Sequence, residues 1–172
     1  MRTTPFADRW AERFGTTATA GRSSRLHKLV ELVRPAVHGV PRQVAAADVE
    51  LAADWVAVDF GDDLGDATEE WTRRHVDRGT LWFWEADGVP VSMVGHRLPT
   101  FGVSRIGPVY TPDEHRRHGY ASALTAHVTG LILDQGNQAC LYTDLANPTS
   151  NKIYAQLGYV PVADFIDLEV RA

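Results

Sequence analysis

The segment VYTPDEHRRHGYAS, Val109 to Ser122, is the feature that the rest of the chain is predicted to present. Its residues are typical of a strand end, a short loop and the first turn of a helix. Within it, Arg116-x-x-Gly119-x-Ala121 places small residues where main-chain N–H groups can reach a phosphate oxygen. The helix that follows adds the positive end of its dipole. Glycine before a helix is also ordinary turn chemistry, so this motif alone leaves a plain turn and an anion site as alternatives.

Composition predicts one soluble domain rather than a nucleic-acid-binding protein. The chain has 172 residues, of which 44% are hydrophobic, with a formal net charge of -5 and a pI near 5.8. An acidic chain lacks the clustered Lys and Arg on which nucleic-acid affinity depends. No apolar run approaches the length of a membrane-spanning helix, and no apolar leader opens the sequence, so we expect a cytoplasmic location and no membrane contact.

The single cysteine and the spacing of possible metal ligands limit the chemistry further. Cys140 lies in an apolar run and has no intrachain partner. No base is placed beside it by sequence, which favours a small buried side chain over a nucleophile. The His, Cys and carboxylate residues show no metal-ligand spacing, so we expect no metal cofactor.

From about residue 42 the pattern alternates between strand and helix signals. Helical spacing predicts one helix over about 46–61, with Asp48 as a cap and Gly61 as its end, and a second over about 66–79. Two strand-like runs joined by Asp87-Gly88 predict a hairpin with a type I′ turn. The next strand is interrupted by Gly107-Pro108, which predicts a bulge.

The motif helix is predicted to end at Gly136. A buried strand over 139–145, a short helix opened by Asn147 and a last strand over 160–170 follow. The order from residue 42 is therefore strand, helix, helix, three antiparallel strands, helix, strand, helix, strand. Upstream, Thr16 to Ser24 is predicted to be a flexible connection, and the apolar segment over 26–33 suits either strand or helix.

A second motif, Asn147-x-x-Ser150-x-x-x-Tyr154-x-x-x-Gly158-Tyr159, lies near the C-terminus. With the element order and the first motif, it resembles the GNAT superfamily of acyl-CoA-dependent N-acyltransferases, whose signature is Asn-x-x-Ala-x-x-x-Tyr-x-x-x-Gly-Phe. The resemblance covers about residues 42–170. It implies an α+β fold in which a mixed central β-sheet, splayed between its fourth and fifth strands, is flanked by helices. Ala121 replaces the usual glycine of that family.

The resemblance also implies acetyl-CoA as co-substrate and assigns its binding residues. The main chain of Val109, Tyr110 and Thr111 would pair with the pantetheine arm and face the acyl carbonyl. The pyrophosphate would lie on the loop and first helical turn, and the pantetheine would be bound from the opposite side of the cleft by the second motif. The loop residues are Arg116, Arg117, His118, Gly119, Tyr120, Ala121 and Ser122, and those of the second motif are Asn147, Ser150, Asn151 and Tyr154.

Catalysis by such a site needs an oxyanion donor, a general acid and a base. A main-chain N–H between Val109 and Thr111 is the candidate oxyanion donor, and Tyr154 is the candidate acid, with a core aromatic as the alternative. Strand alternation does not fix which side the three candidate bases face, and structural roles or a water relay remain open for them. These candidates are Glu85, His96 and Asp144.

The expected function is transfer of an acetyl group to a small-molecule amine. The alternative is a non-catalytic acyl-CoA-binding or regulatory module on the same fold. A homodimer remains open, because the aromatic residues Trp10, Trp82 and Trp84 suit either an interface or the core. Residues 1–40 are interpreted as an N-terminal extension, a remnant of a degenerate N-terminal half, and residues 41–172 as the acetyltransferase domain.

Overall fold

The computed structural model describes the main chain of residues 5–171, without the side chains of residues 18, 59–64, 66, 148, 149 and 170. The described residues form five α-helices and seven β-strands. The helices are α1 Pro5–Phe14, α2 Val49–Leu64, α3 Thr68–Asp77, α4 Tyr120–Asp134 and α5 Pro148–Gln156. The strands are β1 Thr17–Leu29, β2 Val40–Gln43, β3 Leu81–Ala86, β4 Val89–His96, β5 Val103–Tyr110, β6 Gln138–Asp144 and β7 Tyr159–Arg171. The predicted order from residue 42 is confirmed.

All seven strands belong to one mixed sheet in the order β2-β3-β4-β5-β6-β1-β7. The pairings are antiparallel except for β5 and β6, which run parallel. The fourth and fifth strands of the predicted fold are β5 and β6 here, because β1 precedes them in the chain. The predicted fold class, an open mixed sheet flanked by helices, is confirmed.

The sheet divides between β5 and β6. Their parallel pairing runs from Val103↔Gln138 to Ile106↔Leu141 and stops there, although β5 continues to Tyr110 and β6 to Asp144. Beyond that point β5 pairs only with β4, and β6 pairs only with β1. The two strand ends therefore separate and leave a gap that opens toward their carboxyl ends.

Two local predictions hold in the part of the sheet formed by β3, β4 and β5. Asp87 and Gly88 have φ of 52° and 78°, the two positive values that a type I′ hairpin turn requires. The register between β4 and β5 shifts between Val94 and His96, where Gly107 and Pro108 together lie opposite Gly95. The predicted bulge is therefore confirmed.

Each face of the sheet carries its own core. Helices α2 and α3 cover one face, where the buried cluster consists of Val44, Ala52, Val56, Leu81, Phe83 and Met93. Helix α4 covers the other, where its buried residues Leu124, Val128 and Ile132 pack with strand residues that include Val94, Ile106 and Leu141. No described residue of β6, β1 or β7 belongs to this cluster under α2 and α3.

Two predictions about elements were wrong. Thr16 to Ser24 is not a flexible connection, because Thr17–Leu29 is a strand that pairs with both β6 and β7. That strand ends at Leu29, within the segment for which strand and helix were both open. Helix α2 continues past Gly61 to Leu64, since a single glycine only weakens a helix.

The aromatic residues divide between core and surface. Trp84 is buried, Trp82 packs partly buried against the α4-side cluster, and Trp10 is exposed on α1. Of the three tryptophans, therefore, only Trp10 is available for a partner. No helix in the described chain is long and apolar enough to cross a membrane.

Candidate active site

A cleft of about 640 Å³ occupies the gap between β5 and β6. Its floor is the last paired step of the two strands, and its walls come from β1, β5, β6, β7 and α5. The lining residues are Arg22, Ser24, Arg105, Ile106, Gly107, Pro108, Val109, Leu141, Tyr142, Thr143, Asp144, Asn147, Ser150, Tyr154, Phe165 and Asp167. Val109 from the first motif and Asn147, Ser150 and Tyr154 from the second thus meet in one cavity.

The bulge shapes the β5 side of the cleft. Gly107 has φ of +144°, a conformation that side chains rarely permit. Opposite it, a Cβ at Gly95 would lie 3.0 Å from Pro108 Cδ and 3.3 Å from Gly107 O, so only glycine lets the bulged strand pack this closely. Because the β6 pairing ends at Ile106, the edge of β5 from Gly107 onward faces the cleft with main-chain groups.

The main chain after Val109 is held by side-chain hydrogen bonds. Ser92 Oγ donates to Tyr110 O (3.0 Å) and lies 2.9 Å from Thr111 Oγ1. Arg116 Nε donates to Thr111 O (3.1 Å), and its Nη2 lies 2.8 Å from Asp113 Oδ1. Arg116 therefore fixes the shape of the loop, and its guanidinium is engaged there.

The loop presents main-chain donors at the start of α4. Arg117 and Gly119 have φ of 67° and 81°, and a Cβ at Gly119 would lie 3.2 Å from Val37 Cγ2. The first main-chain bond into α4 runs from Ala123 N–H to Gly119 O (3.0 Å). The N–H groups of Tyr120, Ala121 and Ser122 precede it in the first turn, where a helix supplies no acceptor. This first turn fits a phosphate.

The side chains around that turn are exposed or contact other groups of the protein. His118 is exposed, stacks on Tyr120 with ring centroids 5.4 Å apart, and lies 3.2 Å from His115 O through Nδ1. Arg117 is exposed. The groups available to an anion at this turn are therefore main-chain N–H groups rather than these side chains.

Helix α5 is tied to the end of β6 by the second motif. Asn147 caps it by accepting a hydrogen bond from Ser150 N–H (3.1 Å). Asn151 accepts from Thr143 Oγ1 (2.7 Å) and donates through Nδ2 to Asn147 O (2.8 Å) and Asp144 O (3.3 Å). Asn151, predicted to contact the coenzyme, thus has a positioning role that the sequence did not reveal.

Tyr154 lies one turn further along α5. Its ring is 8% exposed and meets Tyr159 edge-on, with centroids 6.2 Å apart. It lines the cleft while packing in the α4-side core. Both interpretations of this residue, a core aromatic and a group facing the cleft, are therefore compatible with its position.

The structure brings only one of the three candidate bases to the cleft. Asp144 lines it, with Oδ1 accepting from Ala146 N–H (2.7 Å). Glu85 accepts from Arg42 Nε (2.6 Å), away from the lining residues. His96 is buried, with Nδ1 3.3 Å from Arg97 O, and burial lowers its pKa. In the described part of the chain, no group of three or more His, Cys, Asp and Glu is arranged to hold a metal ion.

Comparisons with known proteins agree with this geometry. A family model described as FR47-like protein matches residues 86–164, a segment that contains both motifs. An acetyltransferase from the GNAT family of Colwellia psychrerythraea has a similar structure, with a TM-score of 0.74, 16% identity, and coverage of 98% of this chain and 62% of that one. The GCN5-related N-acetyltransferase from Kribbella flavida gives a TM-score of 0.68 and 25% identity over 93% of this chain and 62% of its own. No curated protein matches the sequence.

The chain has the GNAT fold. The resemblance predicted from the motifs is thereby confirmed at the level of fold and of the FR47-like segment. The chain spans 62% of the length of each of these two relatives. A third structure, AAC(6')-Iy in complex with the bisubstrate analog CoA-S-monomethyl-acetylneamine, shares the fold with a TM-score of 0.60 and 20% identity over 70% of this chain and 90% of that one.

Several residues of this GNAT-fold cleft were not found by sequence reasoning. Arg105 extends along the cleft with its guanidinium carbon 4.7 Å from the ring centroid of Tyr142, and Phe165 meets the same ring at 5.7 Å. Arg22 and Asp167 complete this wall. They come from β1, which pairs with β6, and from β7, which pairs with β1, and no local pattern indicates these pairings. Strand alternation in β5 does not by itself fix which face of the sheet the Arg105 side chain occupies.

Proposed function

We propose that the chain is an N-acetyltransferase that transfers the acetyl group of acetyl-CoA directly to an amine. One observation carries this proposal: the pairing of β5 and β6 stops at Ile106↔Leu141, and both motifs border the cleft that opens there. A thioester bound in that cleft would lie between a main-chain edge and the Tyr154 side chain.

The phosphate end of the coenzyme fits the first turn of α4. Gly119 adds no side chain of its own beside the N–H groups of Tyr120, Ala121 and Ser122, and three adjacent donors with a helix dipole suit a pyrophosphate. The pantetheine arm would run along the β5 edge from Val109 to Thr111, with Asn147 and Ser150 on the opposite side.

Each chemical step then falls to a group of this chain. Acetyl-CoA supplies the thioester whose carbonyl carbon the neutral amine attacks. A main-chain N–H between Val109 and Thr111 donates to the carbonyl oxygen as negative charge develops on it. Tyr154 gives its hydroxyl proton to the departing thiolate sulfur, and Asp144 or a water molecule takes the proton released by the amine nitrogen.

The first test is a Tyr154→Phe variant. Removing a proton donor used only in the transition state is expected to lower kcat by about 10²-fold or more while leaving the Kd for acetyl-CoA within about twofold. Free-thiol release over an amine panel gives kcat, and titration calorimetry gives Kd. Equal turnover in the variant would remove Tyr154 from this role.

The non-catalytic alternative is favoured by one observation: Asp144 is the single candidate base in the cleft, and one of its oxygens is engaged with Ala146 N–H. Binding of acetyl-CoA without thiol release for any amine would establish this alternative. A chain that fails to bind acetyl-CoA at millimolar concentration would contradict both.

A further inference from the structure

The cleft has two chemically different walls. Leu141 packs into the core under α4, so its neighbour Tyr142 points to the other side of the sheet, where it is 37% exposed. Phe165 touches Tyr142 and therefore lies on that side as well. The α5 wall carries the groups assigned to the coenzyme. The opposite wall, formed by β1, β6 and β7 together with Arg105 of β5, is left for the molecule that accepts the acetyl group.

Arg105 is the half-buried cation of this second wall. Its guanidinium lies over the Tyr142 ring at 4.7 Å. Burial is the main cause that lowers its pKa, and the nearby positive charge of Arg97 lowers it further. No carboxylate of the described chain forms an ion pair with it or stabilises its charge. Arg42 and Arg25, by contrast, each meet a carboxylate at 2.6 Å.

A guanidinium that is partly removed from water gains most from an anion that it can bind with two N–H groups. Carboxylates match that geometry, and stacking on Tyr142 orients the guanidinium plane beforehand. The coenzyme phosphates are the other source of negative charge. They are assigned to the first turn of α4, which covers the opposite sheet face, so Arg105 remains without a counter-ion when they are bound.

The same wall also carries groups suited to a cation. Asp144 and Asp167 line it, and the Phe165 and Tyr142 rings, 5.7 Å apart, add an apolar surface between polar ends. An unpaired guanidinium, two carboxylates and two aromatic rings together complement a molecule with an amine, a carboxylate and an apolar part.

We propose that the acceptor is an amine that also carries a carboxylate, as in an amino acid, and that Arg105 binds this carboxylate. The inference rests on the proposed acetyltransferase function and narrows its acceptor class. Arg105 is then a specificity-determining residue, which acts on acceptor binding and leaves the binding of acetyl-CoA unchanged.

The test compares acceptors that differ only in the carboxylate. Free-thiol release is measured for the common L-amino acids and for their carboxamides, at saturating acetyl-CoA, with the intact chain and with Arg105→Gln. The intact chain is expected to prefer the acid in at least one pair, and Arg105→Gln to reduce kcat/KM for that acid by about 10- to 100-fold with little change for its amide. An amino acid and its carboxamide differ in the basicity of the amine. This difference is the same for the intact chain and for Arg105→Gln, so it cancels when the two proteins are compared on the same pair.

Arg97→Gln is the matched control, because it removes the same charge from an exposed neighbour outside the cleft. It should keep the preference for the acid, and Arg105→Lys should recover part of it. Loss of acid and amide activity in equal measure, or a rise in KM for acetyl-CoA alone, would overturn the proposal and assign Arg105 to structure or to the coenzyme.

A binding measurement separates this inference from the proposed function. If acetyl-CoA binds but no amine releases thiol, titration of L-phenylalanine and its amide into the CoA-saturated chain still decides. Binding of the acid that Arg105→Gln abolishes supports the carboxylate site. No preference for the acid in either assay contradicts it, even where other amines are acetylated.

Discussion

At the scale of single residues, the most perturbed histidine of the chain lies away from the cleft. His75, near the end of α3, is 8% exposed. Its Nδ1 lies 2.8 Å from Thr80 Oγ1, which itself donates to His75 O (3.1 Å), and Trp71 stacks on its ring at 3.8 Å. Because the threonine hydroxyl proton is used, His75 Nδ1 is the donor in their bond. The neutral ring thus fastens α3 to the start of β3.

This arrangement predicts an acid-sensitive stability. Burial, with the nearby arginines second, lowers the pKa of His75 from 6.5 to about 4. Between these values the unfolded chain binds a proton that the folded chain does not, so stability falls as the pH falls from about 6.5 toward 4. The contribution at pH 5 is about 2 kcal/mol relative to pH 7.

The check is urea unfolding of the intact chain and of His75→Gln at pH 7 and pH 5. Each protein is compared with itself at the two pH values. Burial also lowers the pKa values of His27, His96 and His127, but their contributions to the change in unfolding free energy are present in both proteins and cancel. The intact chain should lose about 2 kcal/mol more than the variant on acidification. Equal losses in the two proteins would show that His75 does not titrate in this way.

At the scale of elements, the phosphate site proposed at the first turn of α4 consists of main-chain N–H groups, which most side-chain substitutions leave in place. Tyr120 is the first helical residue, a position where proline is compatible with the helix. Tyr120→Pro deletes one main-chain donor from the phosphate site, and Tyr120→Ala removes the same aromatic ring but keeps that donor. Tyr120→Pro should therefore weaken acetyl-CoA binding about tenfold relative to Tyr120→Ala.

Titration calorimetry with acetyl-CoA measures both variants, and circular dichroism confirms that α4 is retained. Equal affinities in the proline and alanine variants would remove the Tyr120 N–H from the phosphate site. A loss in both variants would instead show that the Tyr120 ring, which packs against the core, is what matters.

The elements also show where sequence reasoning succeeds. Asp87-Gly88 and Gly107-Pro108 are local signals, and the turn and bulge that they predict require only neighbouring residues. Strand β1 was missed because its first half, TATAGRSS, carries no large apolar side chain and is held by pairing with residues more than a hundred positions away. The same distance hid the wall of the cleft that β1 and β7 provide.

Within the candidate site the division is similar. Val109, Asn147, Ser150 and Tyr154 of the two motifs line one cavity, because the spacing of the motifs reflects a strand end and a helix start, and their coenzyme roles stay predictions. For Glu85, His96 and Asp144 the sequence offered only residue type. Their separation into an ion pair, a buried ring and a cleft carboxylate depends on which strand lies beside which.

At the scale of the whole molecule, the separation of β5 from β6 forms the cleft on which the proposed function depends. Strand β1 lies between β6 and β7 and so belongs to the same sheet as the segment that matches the FR47-like family. The interpretation of residues 1–40 as a remnant of a degenerate half stays a prediction. Any such remnant contributes β1, an internal strand next to the edge strand β7, and, through Arg22 and Ser24, part of the cleft lining.

Amide hydrogen exchange with and without acetyl-CoA shows whether the coenzyme binds in the cleft between β5 and β6. Exchange is expected to slow over Val109 to Thr111 and Arg117 to Ser122, with α1 unchanged as an internal control. Protection centred instead on the second groove, between α2 and α3 beside Glu50 and Arg73, or no protection at either β5 or α4, would contradict binding in this cleft.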